Sequence, residues 1–164
     1  MEVNTSQTSI DRAQLQSVLD AVSMFGGLSE NQVEYLSGKF GQRRYAVNQV
    51  IFHEGDPASD IFILLSGIAQ LEYEHDQHPL YGHCFKVGSC FGETSVIGIQ
   101  PHSASVRTFS DVEVLVLSRE NLMDIFNEDK EVFGIVVLNI ARESCRRLNE
   151  VNHLLSSHSH SAVA

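Results

Sequence analysis

The periodicity of the chain changes twice along its length, and the middle stretch constrains the fold most. From Tyr45 to Ser118, short runs of branched and aromatic residues alternate with turn-forming residues. Val50-Ile51-Phe52, Ile61 to Leu65, Ala69 to Tyr73, Ser103 to Phe109 and Val112 to Leu117 read as strands. They are punctuated by Glu54-Gly55-Asp56-Pro57, Ser66-Gly67, His78-Pro79, Lys86-Val87-Gly88 and Ser110-Asp111. Several short strands spaced by Gly, Pro and Asp predict an antiparallel barrel or sandwich. Ile61 to Leu65 is apolar without a break, which suits a central strand covered on both faces.

The flanks carry a helical period instead. Leu15, Val18, Leu19 and Val22 form one apolar stripe, and Gly26-Gly27 interrupts it because glycine is a poor interior helix residue. Ser29 reads as an N-cap with Gln32 in the reciprocal position, ahead of Val33, Leu36 and Phe40. Arg119 to Phe126 reads as a short helix, and a longer one follows from Lys130 to Leu155. In the longer helix Val137, Ala141, Ser144, Leu148, Val151 and Leu155 keep the a/d rhythm of a helix–helix seam. The stripe outruns what one barrel covers, which favours pairing with a second copy; a helix packed only on its own barrel is the competing reading. The expected fold is therefore mainly β, an antiparallel β-barrel or double-stranded jelly roll flanked by N- and C-terminal helices. One domain spans 11–155, with N-terminal helices in 11–44, the barrel in 45–118 and C-terminal helices in 119–155. Residues 156–164, rich in Ser and His, read as a flexible tail.

Size, charge and missing motifs narrow the function. The 164 residues suit one domain with a real core. Eleven Lys plus Arg against twenty-one Asp plus Glu give a formal charge of −10, a poor match for a DNA backbone. No apolar run is long enough for a bilayer, and the polar start lacks a signal segment, so the expected location is cytoplasmic. Cys84, Cys90 and Cys145 cannot all pair within one chain, and no Cys-x-x-Cys is present. No nucleophile elbow, P-loop or His-Glu-x-x-His occurs, so no enzyme is expected. His75, His78, His83 and Cys84, with Glu72 and Asp76 nearby, are ligand types that zinc accepts. They meet no established spacing and straddle a hairpin containing Pro79, so they read as surface residues of a polar turn, with no metal expected.

Five segments together carry a family resemblance. They are Met24-Phe25-Gly26-Gly27-Leu28-Ser29, Val50 to Asp56, Ile61 to Gly67, Lys86 to Glu93, and the run Phe91-Gly92-Glu93 through Val106. In this order and spacing the chain resembles the cyclic-nucleotide-binding domain family of catabolite-activator-type regulators, kinase regulatory subunits and gated channels. Asn48 stands where that family often has glycine, and asparagine tolerates left-handed geometry. The resemblance makes 91–106 a phosphate-binding cassette. It implies that Glu93 accepts from a ribose 2′-hydroxyl and that the backbone N–H groups of Gly92, Glu93 and Thr94 face a phosphate. Ser103 would add a donor, and Ser105 completes the candidate set. Where the family has a phosphate-gripping arginine, this chain has His102.

An arginine offers a permanent charge and a planar fork of donors, whereas a histidine near its ordinary pKa is mostly neutral at pH 7. Losing a charge-assisted bidentate contact costs about 2–5 kcal/mol, roughly thirtyfold to several thousandfold in affinity. The only other Lys or Arg residues between Tyr45 and Ser118 are Lys86 and Arg107. Arg107 lies five residues beyond His102 and points to the opposite face of an unbroken strand; Lys86 reaches inward only if its loop folds over. Glu93 reads equally as a ribose ligand or as a structural residue bonding nearby backbone donors.

Two functional readings follow. The first is a sensor of a small molecule: cyclic AMP or cyclic GMP held weakly, or held best when His102 is protonated, or a neutral nucleoside-like ligand. Its mechanism, as the resemblance implies, is a cassette that orders around the ligand while nearby helices reposition. The second is a ligand-free dimerisation or protein-interaction module. Family regulators append a DNA-reading module after the long helix, and only nine residues follow Leu155. Direct DNA binding and membrane binding are therefore not expected, and the domain would act as a homodimer through its C-terminal helix or regulate a partner protein in trans.

Overall fold

The computed structural model of the chain describes residues 22–75 and 78–161. The stripe positions Leu15, Val18 and Leu19 lie outside the described residues; Val22 lies inside them and is buried. A 3₁₀ turn at Ser23–Phe25 leads to α1 (Glu30–Ser37), where Ser29 and Gln32 form the expected reciprocal cap. Then come β1 (Gly41–Tyr45), β2 (Val50–Phe52), β3 (Asp60–Ser66), β4 (Ala69–His75), β5 (His78–Phe85) and β6 (Cys90–Phe91). The chain continues through α2 (Glu93–Gly98), β7 (Ser105–Thr108), β8 (Val112–Ser118), α3 (Arg119–Glu128) and α4 (Lys130–Ser161).

The strands form two four-stranded sheets, ordered β1-β8-β3-β6 and β2-β7-β4-β5, with antiparallel pairing throughout. This corrects the expectation of a mainly β closed barrel or jelly roll. Helix takes about 40% and strand about 31% of the described residues, so the fold is mixed α/β, and both sheets are open. The reason lies at the sheet margins. β1 and β5 each form one margin of their sheets; the opposite margin of the first sheet is β6, two residues long, and that of the second is β2, three residues long with an irregular register. Such short margins offer few ladder hydrogen bonds with which to continue one sheet into the other.

β3 shows why the sheets stack as they do. Its residues are buried on both faces, as its unbroken apolar run predicts. Phe62 and Leu64 meet Phe85, Phe91, Val106 and Val114 in a core shared by the two sheets. Ile61, Ile63 and Leu65 point the other way and join Leu115 and Leu117 in a second core under the helices. That second core is closed by Leu122 and Ile125 of α3 and by Val132, Val136 and Ile140 of α4.

The packing face of α4 differs from the stripe its a/d rhythm singles out. Val132, Val136 and Ile140 are buried, whereas Leu148 and Val151 stand exposed at 60% and 51%. Between the buried positions, Asn139 donates from Nδ2 to the carbonyls of Met24 (3.1 Å) and Gly26 (2.7 Å), pinning α4 to the 3₁₀ turn. The helix runs on to Ser161, through most of the stretch read as a tail. No described helix is long and apolar enough to cross a membrane.

Candidate functional site

The cassette is built on a tight exit from β6. Gly92 has φ +81°, and a Cβ placed there would sit 2.9 Å from the Asp60 carbonyl, so both the conformation and the close approach require glycine. It caps α2, whose first residue, Glu93, is only 2% exposed. The helix closes after six residues at Ile99, which is left-handed (φ 52°) and exposed. The returning chain is fastened to the β2–β3 turn. His102 N donates to the Asp56 carbonyl (3.0 Å), and Gly55 N donates to the His102 carbonyl (2.8 Å).

These connections bring Gly92, Glu93, Thr94, His102 and Ser103 around one cavity of about 80 Å³, with Phe52, Leu71 and Phe85 among its apolar walls. Ser105 does not line it; its hydroxyl accepts from the Glu54 N–H at 2.9 Å. His102 is 6% exposed and stacks on Phe52, with ring centroids 3.7 Å apart and planes 11° off parallel. Burial holds the imidazole below the ordinary histidine range, and Asp56 and Asp60 pull weakly the other way. The expectation of a protonated His102 gripping phosphate therefore meets a site that favours the neutral ring.

The cation at this cavity comes from outside 45–118. Arg147, on α4, reaches in and donates from Nη1 to Glu93 Oε1 at 2.9 Å. Its Nη2 donates to the Cys90 carbonyl and its Nε to Glu143 at 3.2 Å. The guanidinium carbon lies 5.7 Å from the Phe85 ring centroid. Burial pushes the Glu93 carboxyl above the ordinary carboxylate range, and Arg147 is the main charge opposing that. Burial also drives the neighbouring Cys90 thiol well up.

Neither cation weighed from the sequence takes this place. Arg107 forks onto the Glu72 carboxylate and donates to the Asn48 carbonyl at 3.0 Å, and Lys86 is exposed; neither lines the cavity. A signal for Arg147 was present in the sequence. Val136, Ile140, Glu143 and Arg147 are spaced four, three and four apart, continuing the inner face of α4. Arg147 lies beyond 45–118, the stretch that holds Lys86 and Arg107.

A larger, open depression of about 390 Å³ lies beside Arg44, Asp111 and Glu113, away from the cassette. Its charges already have protein partners: Arg44 pairs with Glu113 at 2.8 Å, and Asp111 accepts from Val47 N at 3.0 Å. Among the described residues no group of three or more His, Cys, Asp or Glu comes together to hold a metal.

Comparison with known proteins names the family. The cyclic nucleotide-binding domain matches residues 42–129. The chain belongs to the cyclic nucleotide-binding domain family. It is 31% identical over 108 residues to a cAMP-dependent protein kinase regulatory subunit of Hypocrea atroviridis, covering 66% of this chain and 22% of the relative. It is 28% identical over 132 residues to the Cyclic AMP receptor protein of Thermus thermophilus, covering 79% of this chain and 58% of the relative. The chain thus spans less than two thirds of either. The crystal structure of the Thermus thermophilus Catabolite Activator Protein superposes with TM-score 0.73 at 28% identity, over 84% of this chain and 63% of that one. A cyclic nucleotide-binding domain from Methylobacillus flagellatus gives TM-score 0.76 at 21% identity, over 84% and 78%. The regulatory subunit of a cAMP-independent protein kinase A from Trypanosoma brucei, as a triple variant bound to cAMP, gives 0.67 at 18%, over 80% and 47%. The matched cyclic nucleotide-binding domains are non-catalytic, and this one is a non-enzymatic regulatory domain.

Proposed function

We propose that this domain is a regulatory module whose cassette keeps the nucleotide-type frame but binds cyclic AMP or cyclic GMP weakly or in altered form. The observation that carries this reading is the pairing of a buried Glu93, behind a glycine that its geometry demands, with a neutral-leaning His102 in the arginine position. The cavity of about 80 Å³ supports it, since pockets that hold drug-sized ligands start near 300 Å³. Binding a nucleotide therefore requires the cassette or α4 to move. The Trypanosoma brucei relative, named as cAMP-independent yet seen bound to cAMP after three substitutions, one of them to arginine, shows this fold in a protein of that description.

Titration calorimetry with cyclic AMP, cyclic GMP and a nucleoside, on wild type and His102→Arg, tests the reading. Weak wild-type binding with a gain of about thirtyfold or more in His102→Arg is expected, the lower end of what one charge-assisted fork contributes. Flat traces for both proteins would end the nucleotide reading.

A second reading, a ligand-free dimerisation or interaction module, draws on the exposed Leu138, Leu148 and Val151 of α4. In both readings the domain works as a homodimer through α4 or regulates a partner protein in trans. Its charge of −10 argues against direct DNA contact.

A further inference from the structure

We propose that Arg147 is the cavity's own occupant, an internal latch that ties the distal half of α4 to the cassette by taking the carboxylate a hydroxyl-bearing ligand would need. The ligand half of this statement rests on the nucleotide reading above; the latch itself rests on contacts already formed. All three nitrogens of the guanidinium have acceptors, on α2, on β6 and on α4 itself. The side chain is 20% exposed and its partner carboxylate 2%, so the pair is largely withdrawn from solvent. Few surface ion pairs are so completely engaged, and a buried pair of this kind leaves an uncompensated charge when one partner is removed.

The position of the latch along α4 gives it leverage. The last apolar residue buried on the helix before 154 is Ile140, and residues 141–153 are half-buried or exposed. Arg147 lies two turns further on and reaches back to the sheet and the cassette. Its helix also carries the exposed Leu148 and Val151. A change at Glu93 is thereby felt where α4 presents its apolar residues. A ligand hydroxyl that takes Glu93 Oε1 competes with the guanidinium for that oxygen, and a helix released from it is free to move. Occupancy of the cassette and placement of α4 are two ends of one contact.

Hydrogen exchange on the full chain, with no ligand added, tests the latch directly. Arg147→Gln is expected to raise backbone exchange in 141–153 and in 90–98 together, by about tenfold or more, and Glu93→Gln to do the same. Because both variants break one contact, the double variant should exceed either single by no more than about twofold. Should Arg147→Gln fold poorly, the near-isosteric Glu93→Gln carries the same readout. Exchange in 141–153 that stays within about twofold of wild type in both single variants, or effects that multiply in the double, overturns the latch.

Cyclic AMP and cyclic GMP titrations of the same proteins separate the two claims. Tighter binding by Arg147→Gln supports displacement. Unchanged or weaker binding overturns it, since Arg147 would then be a bystander or a ligand-holding cation. Flat titrations for every variant, His102→Arg included, sink the nucleotide reading and leave the latch to stand or fall on exchange alone.

Discussion

At the scale of single residues, His102 and Glu93 line one cavity, and burial favours the neutral form of each. The consequences for stability run in opposite directions with pH. As pH falls through the ordinary histidine value of 6.5, the unfolded chain takes up a proton at this position before the folded one does. The unfolded state then binds more protons, and stability falls with further acidification until the folded ring also titrates. Glu93, raised from 4.5, behaves inversely: above that value the folded state holds its proton more tightly, so acidification toward it adds stability. His102→Phe keeps a ring to stack on Phe52 and removes the first effect. Urea unfolding at about pH 7.5, 6 and 5 should show wild-type stability dropping from about pH 6.5 more steeply than that of His102→Phe, by at most about 1.4 kcal/mol per pH unit. Parallel profiles for the two proteins would mean that the ring titrates alike in both states.

At the scale of elements, α4 divides its surface between two duties. Val132, Val136, Ile140 and Arg147 face the body, while Leu138, Ala141, Cys145 and Leu148 are exposed, at spacings of three and four. If α4 pairs with a second copy, that exposed set is the seam, with the small Ala141 and Cys145 allowing close approach. Leu148→Asp should then shift the protein from dimer to monomer in sedimentation equilibrium at micromolar concentration, and its thermal midpoint should lose the concentration dependence that a dimer confers. Mild oxidation should cross-link Cys84→Ser, which keeps Cys145 as its exposed thiol, and leave the Cys84→Ser/Cys145→Ser double variant uncross-linked. A wild type that sediments as a monomer throughout would remove the dimer. The elements the sequence hides are those whose character is set by partners. β1, Gly41-Gln42-Arg43-Arg44-Tyr45, is polar and ends the first sheet, so only its pairing with β8 makes it a strand. β5 carries Pro79 and Gly82, tolerable because it is the margin of the second sheet. By contrast β3 is legible from its apolar run, α1 from its cap, and the left-handed Asn48 from its residue type. The cassette glycine and Glu93 were readable as well; for Arg147 the helical spacing marks its place on the inner face of α4, but its pairing with Glu93, 54 residues away in sequence, leaves no local pattern.

At the scale of the whole molecule, β3 and β8 are shared walls. Each turns alternate residues into the core between the sheets and into the core beneath the helices. Ile63 and Leu64 are neighbours in sequence and both 0% exposed, yet they belong to different cores. Had the helices and the sheet pair been separate cooperative units, a cavity in one core would melt that unit alone. A shared strand forbids this, since β3 cannot lose its packing on one face and keep its register on the other. The described body should therefore unfold as one domain. Ile63→Ala and Leu64→Ala are each expected to cost about 2–5 kcal/mol, lowering the urea midpoint of a single transition. Far-ultraviolet circular dichroism, dominated by the helices, and tyrosine fluorescence in a Tyr35→Phe background, which leaves Tyr45, Tyr73 and Tyr81 on the strands, should trace the same curve in both variants. Curves that part company in Ile63→Ala, with helix signal lost ahead of tyrosine signal, would show that the helical layer comes off the sheets alone, and that the path from cassette to α4 runs across a seam and not through one body.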